Sequence, residues 1–175
     1  MKVLMITAPG YDDYEMFYPF FRLQEEGIDV EVASVERGEV KGNYFTIQAA
    51  LSYQDIKPEE YSAVILPGGS APETVRMYPE AVKAVGYFMD HGLPVAAICH
   101  GLQTLITLGA LRGKNCTCYA SIKDDIINAG ASYTDAAVVI DNNLITSRCP
   151  QDLPQFMKAI TEHLIVGKEK TYEKA

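Results

Sequence analysis

A cysteine at the end of a short apolar strand is the sharpest chemical signal in the sequence. Residues 96–98 are small and apolar, Cys99 and His100 follow, and Gly101 comes next. This pattern is typical of a nucleophile elbow, a tight strand-to-helix turn, with Cys in place of Ser. The positive N-terminal end of the following helix would favour the thiolate over the thiol. The pattern fits a small buried core residue equally well, because cysteine often has that role.

His100 is the candidate base beside this cysteine. It could accept the thiol proton, or lower the pKa of the thiol as a cation. Adjacent residues of a regular helix do not face each other, so the pairing requires Cys99 to lie in a strained turn. The other histidines, His91 and His163, lie near predicted helix ends, where a surface role facing the helix dipole is the simpler interpretation.

A glycine-containing turn follows another apolar strand. Residues 67–70 read Pro-Gly-Gly-Ser. Their backbone N–H groups could form an oxyanion hole together with the amide of His100. The same residues also fit a plain turn, so their expected position at the end of a strand is the useful part of this signal.

Two carboxylates are candidates for the same site. Glu15 is expected in the first turn of the first helix, where it could hydrogen-bond the thiol or, if protonated, stabilise an oxidised sulfur. Compensation of the helix dipole explains Glu15 as well, with Asp12 and Asp13 helping at the cap. Glu73 could orient a histidine as the carboxylate of a triad does. A solvated surface glutamate is the simpler interpretation of Glu73.

The elements that must position these groups alternate between strands and helices. The apolar strands between helices predict a doubly wound α/β fold, a parallel sheet covered on both faces. We expect one domain over residues 1–175, with a polar, frayed tail at 168–175. Ligands bind such sheets beyond the carboxyl ends of the strands, which brings residues 9–15, 67–73 and 99–101 together. Strands are predicted at 2–7, 28–35, 63–66, 94–98, 136–140 and 144–147, helices at 14–26, 79–91, 101–109, 122–129 and 152–166, and 38–51 is ambiguous.

Composition narrows the class of protein. The chain has 175 residues and a net charge of −8 without a cluster of basic residues, which argues against nucleic acid and anionic membranes as partners. No targeting or membrane-spanning segment follows Met1, so a cytoplasmic location is expected. The four cysteines lack zinc spacing, and the glycine segments lack nucleotide-binding motifs, so no metal or cofactor is expected.

Several segments together resemble one known family. The sequence resembles the PfpI family of intracellular cysteine proteases and amidases. That family lies within the class I glutamine amidotransferase-like superfamily, which includes the Parkinson-linked protein deglycase and glyoxalase III enzymes. The resemblance runs from about residue 2 to 164. The matching segments are 11–15, 18–19, 22–27, 66–73, 97–101, 122–125, 128–130 and 147–148.

The resemblance implies a flavodoxin-like fold and a homo-oligomer, a dimer or hexamer, with its active site at a subunit interface. It implies that Cys99 is the nucleophile and His100 its partner, with Glu73 completing the triad from a neighbouring subunit. Glu15 would contact the nucleophile. The amides of Gly69 and His100 would form the oxyanion hole. The implied residues of the oxyanion hole and pocket are Gly68, Gly69, Gly101 and Tyr119.

Three hypotheses for function follow. The first is hydrolysis of a peptide or amide by Cys99. The second uses the same residues on methylglyoxal, as in a glyoxalase III or deglycase, with Glu15 or His100 moving the proton that yields lactate. The third is an oxidative-stress sensor in which Cys99 is oxidised. The chain departs from the family pattern at Leu102, Cys118, Ala120 and Cys149. Cys118 or Cys149 could resolve a sulfenic acid if either lies near Cys99, although two spare buried thiols fit as well.

Overall fold

A seven-stranded sheet forms the centre of the molecule. The computed structural model describes the backbone of residues 1–172 and the side chains of residues 1–165. The strands are β1 (Lys2–Ile6), β2 (Asp29–Ser34), β3 (Gly38–Lys41), β4 (Thr46–Ala49), β5 (Leu51–Ser52), β6 (Ala63–Leu66), β7 (Val95–Ile98), β8 (Asn115–Cys116), β9 (Ser132–Tyr133), β10 (Val138–Asp141) and β11 (Leu144–Ser147). The helices are α1 (Asp13–Glu25), α2 (Ala71–Val75), α3 (Pro79–Asp90), α4 (Leu102–Leu108), α5 (Lys123–Asn128) and α6 (Leu153–Tyr172).

The order of the strands places β1 where the sheet changes direction. Neighbouring strands follow the order β10–β11–β7–β6–β1–β2–β5. All neighbouring pairs are parallel except β10 and β11, which are antiparallel. The chain moves outward from β1 to β2 on one side and from β6 to β7 on the other. The carboxyl ends of β1, β6 and β7 therefore meet at the edge where such sheets bind ligands.

Helices cover both faces of this sheet. The helix α1 follows β1 and packs against α6, whereas α3 joins β6 to β7 and packs against α4. Right-handed crossovers that run in opposite directions along a sheet place their helices on opposite faces. The strands β6 and β7 are buried at every residue, and β1 at all but its first. The predicted doubly wound, mostly parallel α/β fold is confirmed.

The first helix begins at a side-chain cap. The Asp12 carboxylate accepts hydrogen bonds from the N–H groups of Tyr14 (3.0 Å) and Glu15 (3.1 Å). These bonds satisfy two donors that have no partner within the helix. Met16 and Leu23 are completely buried and anchor the helix on the core. The cap and these anchors fix Glu15 in the first turn, close to the carboxyl end of β1.

Some elements differ from the prediction. The ambiguous segment at 38–51 contains an antiparallel hairpin of β3 and β4. The short helix α2 and the pair β8–β9 were not predicted. The last helix continues to Tyr172, beyond its predicted end near 166, so the predicted polar tail at 168–175 begins inside it. Residues 173–175 lie outside the described residues. Of the helices described, none has the length and apolar composition needed to cross a membrane.

Gly101 allows the end of β7 to pass close to β6. A Cβ atom at this position would lie 2.2 Å from the backbone oxygen of Leu66. A backbone atom cannot move aside as a flexible side chain can. We therefore expect Gly101→Ala to lower the free energy of unfolding by about 1–3 kcal/mol, the range seen for overpacked cores. Urea denaturation measures this change.

Gly86→Ala is the matched control within α3. A Cβ atom there would lie 3.2 Å from a terminal methyl carbon of Leu108, which can rotate away. Alanine also favours a helix over glycine by roughly 0.5–1 kcal/mol, so the net change should stay below about 1 kcal/mol. Equal losses of stability in the two variants would contradict the proposed need for glycine at position 101.

Candidate active site

Cys99 lies in a strained turn directly after β7. Its φ angle is 59°, in the left-handed region that residues with a side chain rarely adopt. Residues Cys99–Gly101 form one 3-10 turn before α4 begins. Such strain costs about 1–3 kcal/mol and is found mainly at functional sites. The strained turn that the pairing with His100 requires is therefore present.

His100 links the cysteine to a hydroxyl group. Its Nδ1 atom lies 3.2 Å from the Sγ atom of Cys99, and its Nε2 atom lies 3.1 Å from the Oγ atom of Ser121. Burial lowers the pKa of His100, and the charge of Glu73 opposes this shift. The lowered pKa favours the neutral imidazole, which can accept a proton from the thiol.

Glu15 holds a carboxyl group in the interior next to this thiol. Its side chain is completely buried, and its Oε2 atom accepts a hydrogen bond from the N–H group of Gly68 (2.7 Å). Its Oε1 atom has no partner among the described residues. Burial, followed by the charge of Asp12, raises the pKa of Glu15 from 4.5 to about 8. Glu15 therefore carries its proton near neutral pH and can donate it to the sulfur.

Asp13 has a different role from the predicted help at the helix cap. Its carboxylate accepts hydrogen bonds from the N–H groups of Tyr44 (3.1 Å) and Phe45 (2.9 Å). Asp13 thus ties the β3–β4 hairpin to α1. The cap itself is formed by Asp12 alone, because only its side chain bonds the first turn.

The pKa of Cys99 shifts in the opposite direction from the prediction. Burial raises the pKa of this thiol most, and the charge of Glu15 raises it further. The N–H groups of His100 and Gly69 lower it, as the predicted helix end was expected to do, but by less. Desolvation therefore changes the pKa of Cys99 more than the N–H groups of the turn do. Protonation of Glu15 removes the contribution of its charge to the pKa of Cys99. Formation of the thiolate therefore depends on whether Glu15 holds its proton.

Gly68 and Gly69 bring the carboxyl end of β6 into contact with the segments that follow β7 and β1. A Cβ atom at Gly68 would lie 2.5 Å from Oε2 of Glu15 and 2.8 Å from the Cβ atom of Cys99. Gly69 has a φ of 76°, and a Cβ atom there would meet the oxygen of Gly10 at 2.4 Å. The Gly68 amide already bonds Glu15, so it positions that carboxyl and is not a free oxyanion donor. The amides of Gly69 and His100 are the two that act on the sulfur.

Tyr119 and Glu73 contact the site to different extents. The ring of Tyr119 lies over His100, with centroids 5.3 Å apart and planes at 33°. Its N–H group donates to the backbone oxygen of Cys99 (3.4 Å). Glu73 lies exposed on α2 and makes no hydrogen bond to His100 within the described chain. Its role in a neighbouring subunit, and the homo-oligomer itself, stay predictions.

The remaining cysteines are placed in other surroundings. Cys116 and Cys118 are completely buried, and burial raises their pKa values to about 11 and about 12. The thiol of Cys149 interacts with Asp152 at 3.7 Å. Neither Cys118 nor Cys149 hydrogen-bonds to Cys99 among the described side chains. Over the same residues, no three Cys, His, Asp or Glu side chains are grouped to bind a metal ion.

Comparison with known proteins identifies the family. The model of the DJ-1/PfpI family matches residues 1–163. The chain belongs to the DJ-1/PfpI family. The resemblance to PfpI proteins that was inferred from the sequence is confirmed by this match.

Individual relatives cover nearly the whole chain. A deglycase of Pyrococcus horikoshii, PH1704, is 46% identical over 165 residues, which cover 94% of this chain and 99% of that protein. A candidate cysteine protease of Bacillus subtilis, YraA, is 37% identical over 159 residues, 89% of this chain and 93% of that protein. The solved structure of DJ-1beta from Drosophila melanogaster has a TM-score of 0.88 at 32% identity, covering 98% of this chain and 94% of that one. The flavodoxin-like fold is confirmed, and the named relatives support an enzyme.

Glu15 should make folding stability depend on pH. Because its pKa is raised from 4.5 to about 8, the folded chain keeps a proton that the unfolded chain has lost between these values. The resulting stabilisation is complete below pH 4.5 and is lost as the pH rises through about 8. At about 1.4 kcal/mol per pKa unit, it is on the order of 5 kcal/mol. We expect Glu15→Gln to remove most of this dependence, measured by urea unfolding at a series of pH values.

Glu39→Gln is the control for this experiment, because Glu39 lies exposed on β3. That variant should lose stability with rising pH as the wild-type protein does. If Glu15→Gln shows the wild-type slope, Glu15 does not hold a proton in the folded state.

Proposed function

We propose that the chain is a deglycase, an enzyme that removes adducts of small dicarbonyl compounds such as methylglyoxal from amino and thiol groups. One observation carries this proposal. A carboxyl group with a pKa of about 8, Glu15, acts directly on the thiol of a nucleophile that also contacts a histidine. Conversion of the dicarbonyl compound to lactate requires this combination. The sulfur must add to one carbon, and a proton carrier must move a proton from that carbon to the neighbouring one.

The closed setting of the sulfur favours a small substrate. Cys99 is only 7% exposed, and the space between it, Gly68 and Glu15 does not admit an added methyl group at Gly68. A three-carbon dicarbonyl compound presents its aldehyde at the end of a slender chain. A peptide bond is flanked by chain on both sides. Peptide hydrolysis was the first hypothesis from the sequence, and the burial of Cys99 moves the second hypothesis ahead of it.

The first half of the reaction releases the amine. His100 first takes the thiol proton of Cys99 through Nδ1. In an adduct R–NH–CH(OH)–CO–CH3, the nitrogen then takes that proton from the imidazolium while the C–N bond breaks. The hydroxyl proton returns to His100, which leaves the aldehyde. The Cys99 thiolate adds to the aldehyde carbon, and the oxygen takes the proton of Glu15 to give a hemithioacetal. The amides of Gly69 and His100 can stabilise the oxyanion as it forms.

The second half converts the hemithioacetal to lactate. The Glu15 carboxylate removes the hydrogen of the former aldehyde carbon as a proton, and through an enediol a proton is added to the neighbouring carbon. The first carbon is oxidised to a thioester while the ketone is reduced to an alcohol. Water then hydrolyses the thioester and restores the thiol. The sum is adduct plus water to amine plus lactate, so no external oxidant or reductant is needed.

The relatives support the same reaction class. The protein from Pyrococcus horikoshii that is named a deglycase matches 94% of this chain at 46% identity. The identity to the candidate cysteine protease is lower, at 37%. Peptide hydrolysis is the second candidate, because a histidine Nδ1 atom 3.2 Å from Sγ also fits a thiol hydrolase. The sensor hypothesis stays a prediction.

The test compares three substrates with one pair of variants. N-acetyl-lysine treated with methylglyoxal, free methylglyoxal and a fluorogenic peptide library are supplied to wild type, Cys99→Ser and Cys149→Ser. We expect Cys99→Ser to lower release of lactate by at least about a thousandfold, as loss of a nucleophile does. Cys149→Ser should retain wild-type rates. A scavenger of free methylglyoxal should leave the rate on the adduct unchanged.

Each alternative has its own outcome in this design. Lactate formation that the scavenger abolishes identifies a glyoxalase that acts on free methylglyoxal. Cys99-dependent cleavage of peptides without lactate identifies a peptidase. Equal rates in wild type and Cys99→Ser on every substrate would overturn the proposal that Cys99 is the nucleophile.

A further inference from the structure

Asp12 and Glu15 occupy the two positions of a helix capping box at the start of α1. In that motif, the side chain of the N-cap residue accepts the N–H group three residues later, and the glutamate there accepts the N–H group of the N-cap residue. The first half is present, because the Asp12 carboxylate accepts a hydrogen bond from the N–H group of Glu15 (3.1 Å). In place of the second half, Glu15 accepts a hydrogen bond from the N–H group of Gly68 (2.7 Å).

Gly68 completes this capping box from the end of β6. Its oxygen accepts a hydrogen bond from the N–H group of Asp12 (3.3 Å), and its own N–H group donates to Glu15. Gly68 thus serves both of the groups that an ordinary capping box would pair with each other. It also lies against the nucleophile, since a Cβ atom at Gly68 would lie 2.8 Å from the Cβ atom of Cys99. The insertion of Gly68 therefore carries the carboxyl group of Glu15 from the helix end to the sulfur.

The backbone around Asp12 is fixed on the loop that follows β6. Tyr11 and Gly69 form an antiparallel bridge. The N–H group of Ser70 donates to the oxygen of Gly10 (2.9 Å). A Cβ atom at Gly69 would lie only 2.5 Å from the nitrogen of Asp12. These close backbone contacts keep the N-cap residue in one place relative to the end of β6.

The charge of Asp12 opposes the effect of the helix end on Glu15. The positive N-terminal end of a helix favours the ionised form of a nearby carboxyl group. The negative charge of Asp12 raises the pKa of Glu15, second only to burial, and so favours the protonated form. Hydrogen bonds with Gly68 and Cys99 act in the other direction. The carboxylate of Asp13 is engaged with the β3–β4 hairpin instead. Of the charged residues that the structure describes, Asp12 is the one that raises the pKa of Glu15.

We propose that Asp12 is the positioning residue of Glu15, holding its carboxyl group against Cys99 and keeping the proton on it. This inference rests on the proposed function, in which Glu15 gives its proton to the oxygen of the aldehyde. With a neutral residue at position 12, Glu15 would ionise at a lower pH. Its negative charge would then suppress the thiolate beside it.

The test measures the thiolate of Cys99 in the whole protein and needs no substrate. The rate of alkylation of Cys99 by iodoacetamide is followed against pH by peptide-resolved mass spectrometry. At about pH 6, Glu15 is protonated in both proteins, so Asp12→Asn and the wild type should react at the same rate. At higher pH each rate levels off, because the ionised Glu15 opposes the thiolate. We expect Asp12→Asn to level off roughly one pH unit earlier, which makes its rate about tenfold lower at about pH 9.

Asparagine at position 12 separates the charge from the cap. It caps a helix about as well as aspartate, so the free energy of unfolding at about pH 6 should stay close to that of the wild type. Carbon-13 NMR of the glutamate carboxyl groups gives the second readout. The midpoint of Glu15 should fall from about 8 by roughly one pH unit in Asp12→Asn.

Two further variants make the result specific. Asp12→Ser keeps a neutral cap by a different side chain and should match Asp12→Asn in both readouts. Asp124→Asn removes the same charge from the first turn of another helix, α5, and should match the wild type.

Three outcomes would overturn the proposal. In the first, the alkylation profile and the Glu15 midpoint of Asp12→Asn superimpose on those of the wild type. In the second, Asp12→Asn slows alkylation equally at every pH, which would indicate a structural role alone. In the third, Asp124→Asn produces the same shift, which would assign the effect to the net charge of the chain. The proposed function fails separately, because a Glu15 that depends on Asp12 in a protein that forms no lactate from any adduct would exclude only the deglycase reaction.

Discussion

The proton between Glu15 and Cys99 is the interaction on which the rest of the site depends. Both groups are buried next to each other, and two negative charges in that space would be strongly unfavourable. At least one proton therefore stays on the pair, and the sulfur can be a thiolate only while Glu15 holds a proton. With the proton on Glu15, the thiolate has a donor on one side and the amides of Gly69 and His100 on another. The same proton serves as the acid of the proposed reaction.

The backbone has to approach itself closely to build this arrangement. Gly68 and Gly101 have no space for a side chain, and Cys99 adopts a left-handed conformation that costs about 1–3 kcal/mol. The strands β6 and β7 offset this cost, because both are buried at every residue and they pair directly with each other. The central sheet thus supplies the stability that the strained turn requires. The helix α1, which follows β1, contributes the carboxyl group of Glu15.

Sequence reasoning was most accurate where the signal is local. The bounds of β6 and β11 were predicted to the residue, because four-residue strands there have clear boundaries. The helix α2 was missed, since five residues with Pro72 near the start are too few to show a helical period. Cys99 and Glu15 were found because they lie at the ends of well-patterned elements. The contact of Ser121 with His100 and the raised pKa of the thiol were not, because both depend on tertiary packing.

The most direct measurement of this account is the titration of the Glu15 carboxyl group. Carbon-13 NMR of protein labelled at the glutamate carboxyl carbons follows it, and the signal that is missing in Glu15→Gln gives the assignment. The account predicts a midpoint at a pH of about 8 in the wild-type protein. A midpoint near 4.5, the ordinary value for this group, would show that Glu15 is ionised at neutral pH. The thiolate of Cys99 would then have to be explained without a proton from Glu15.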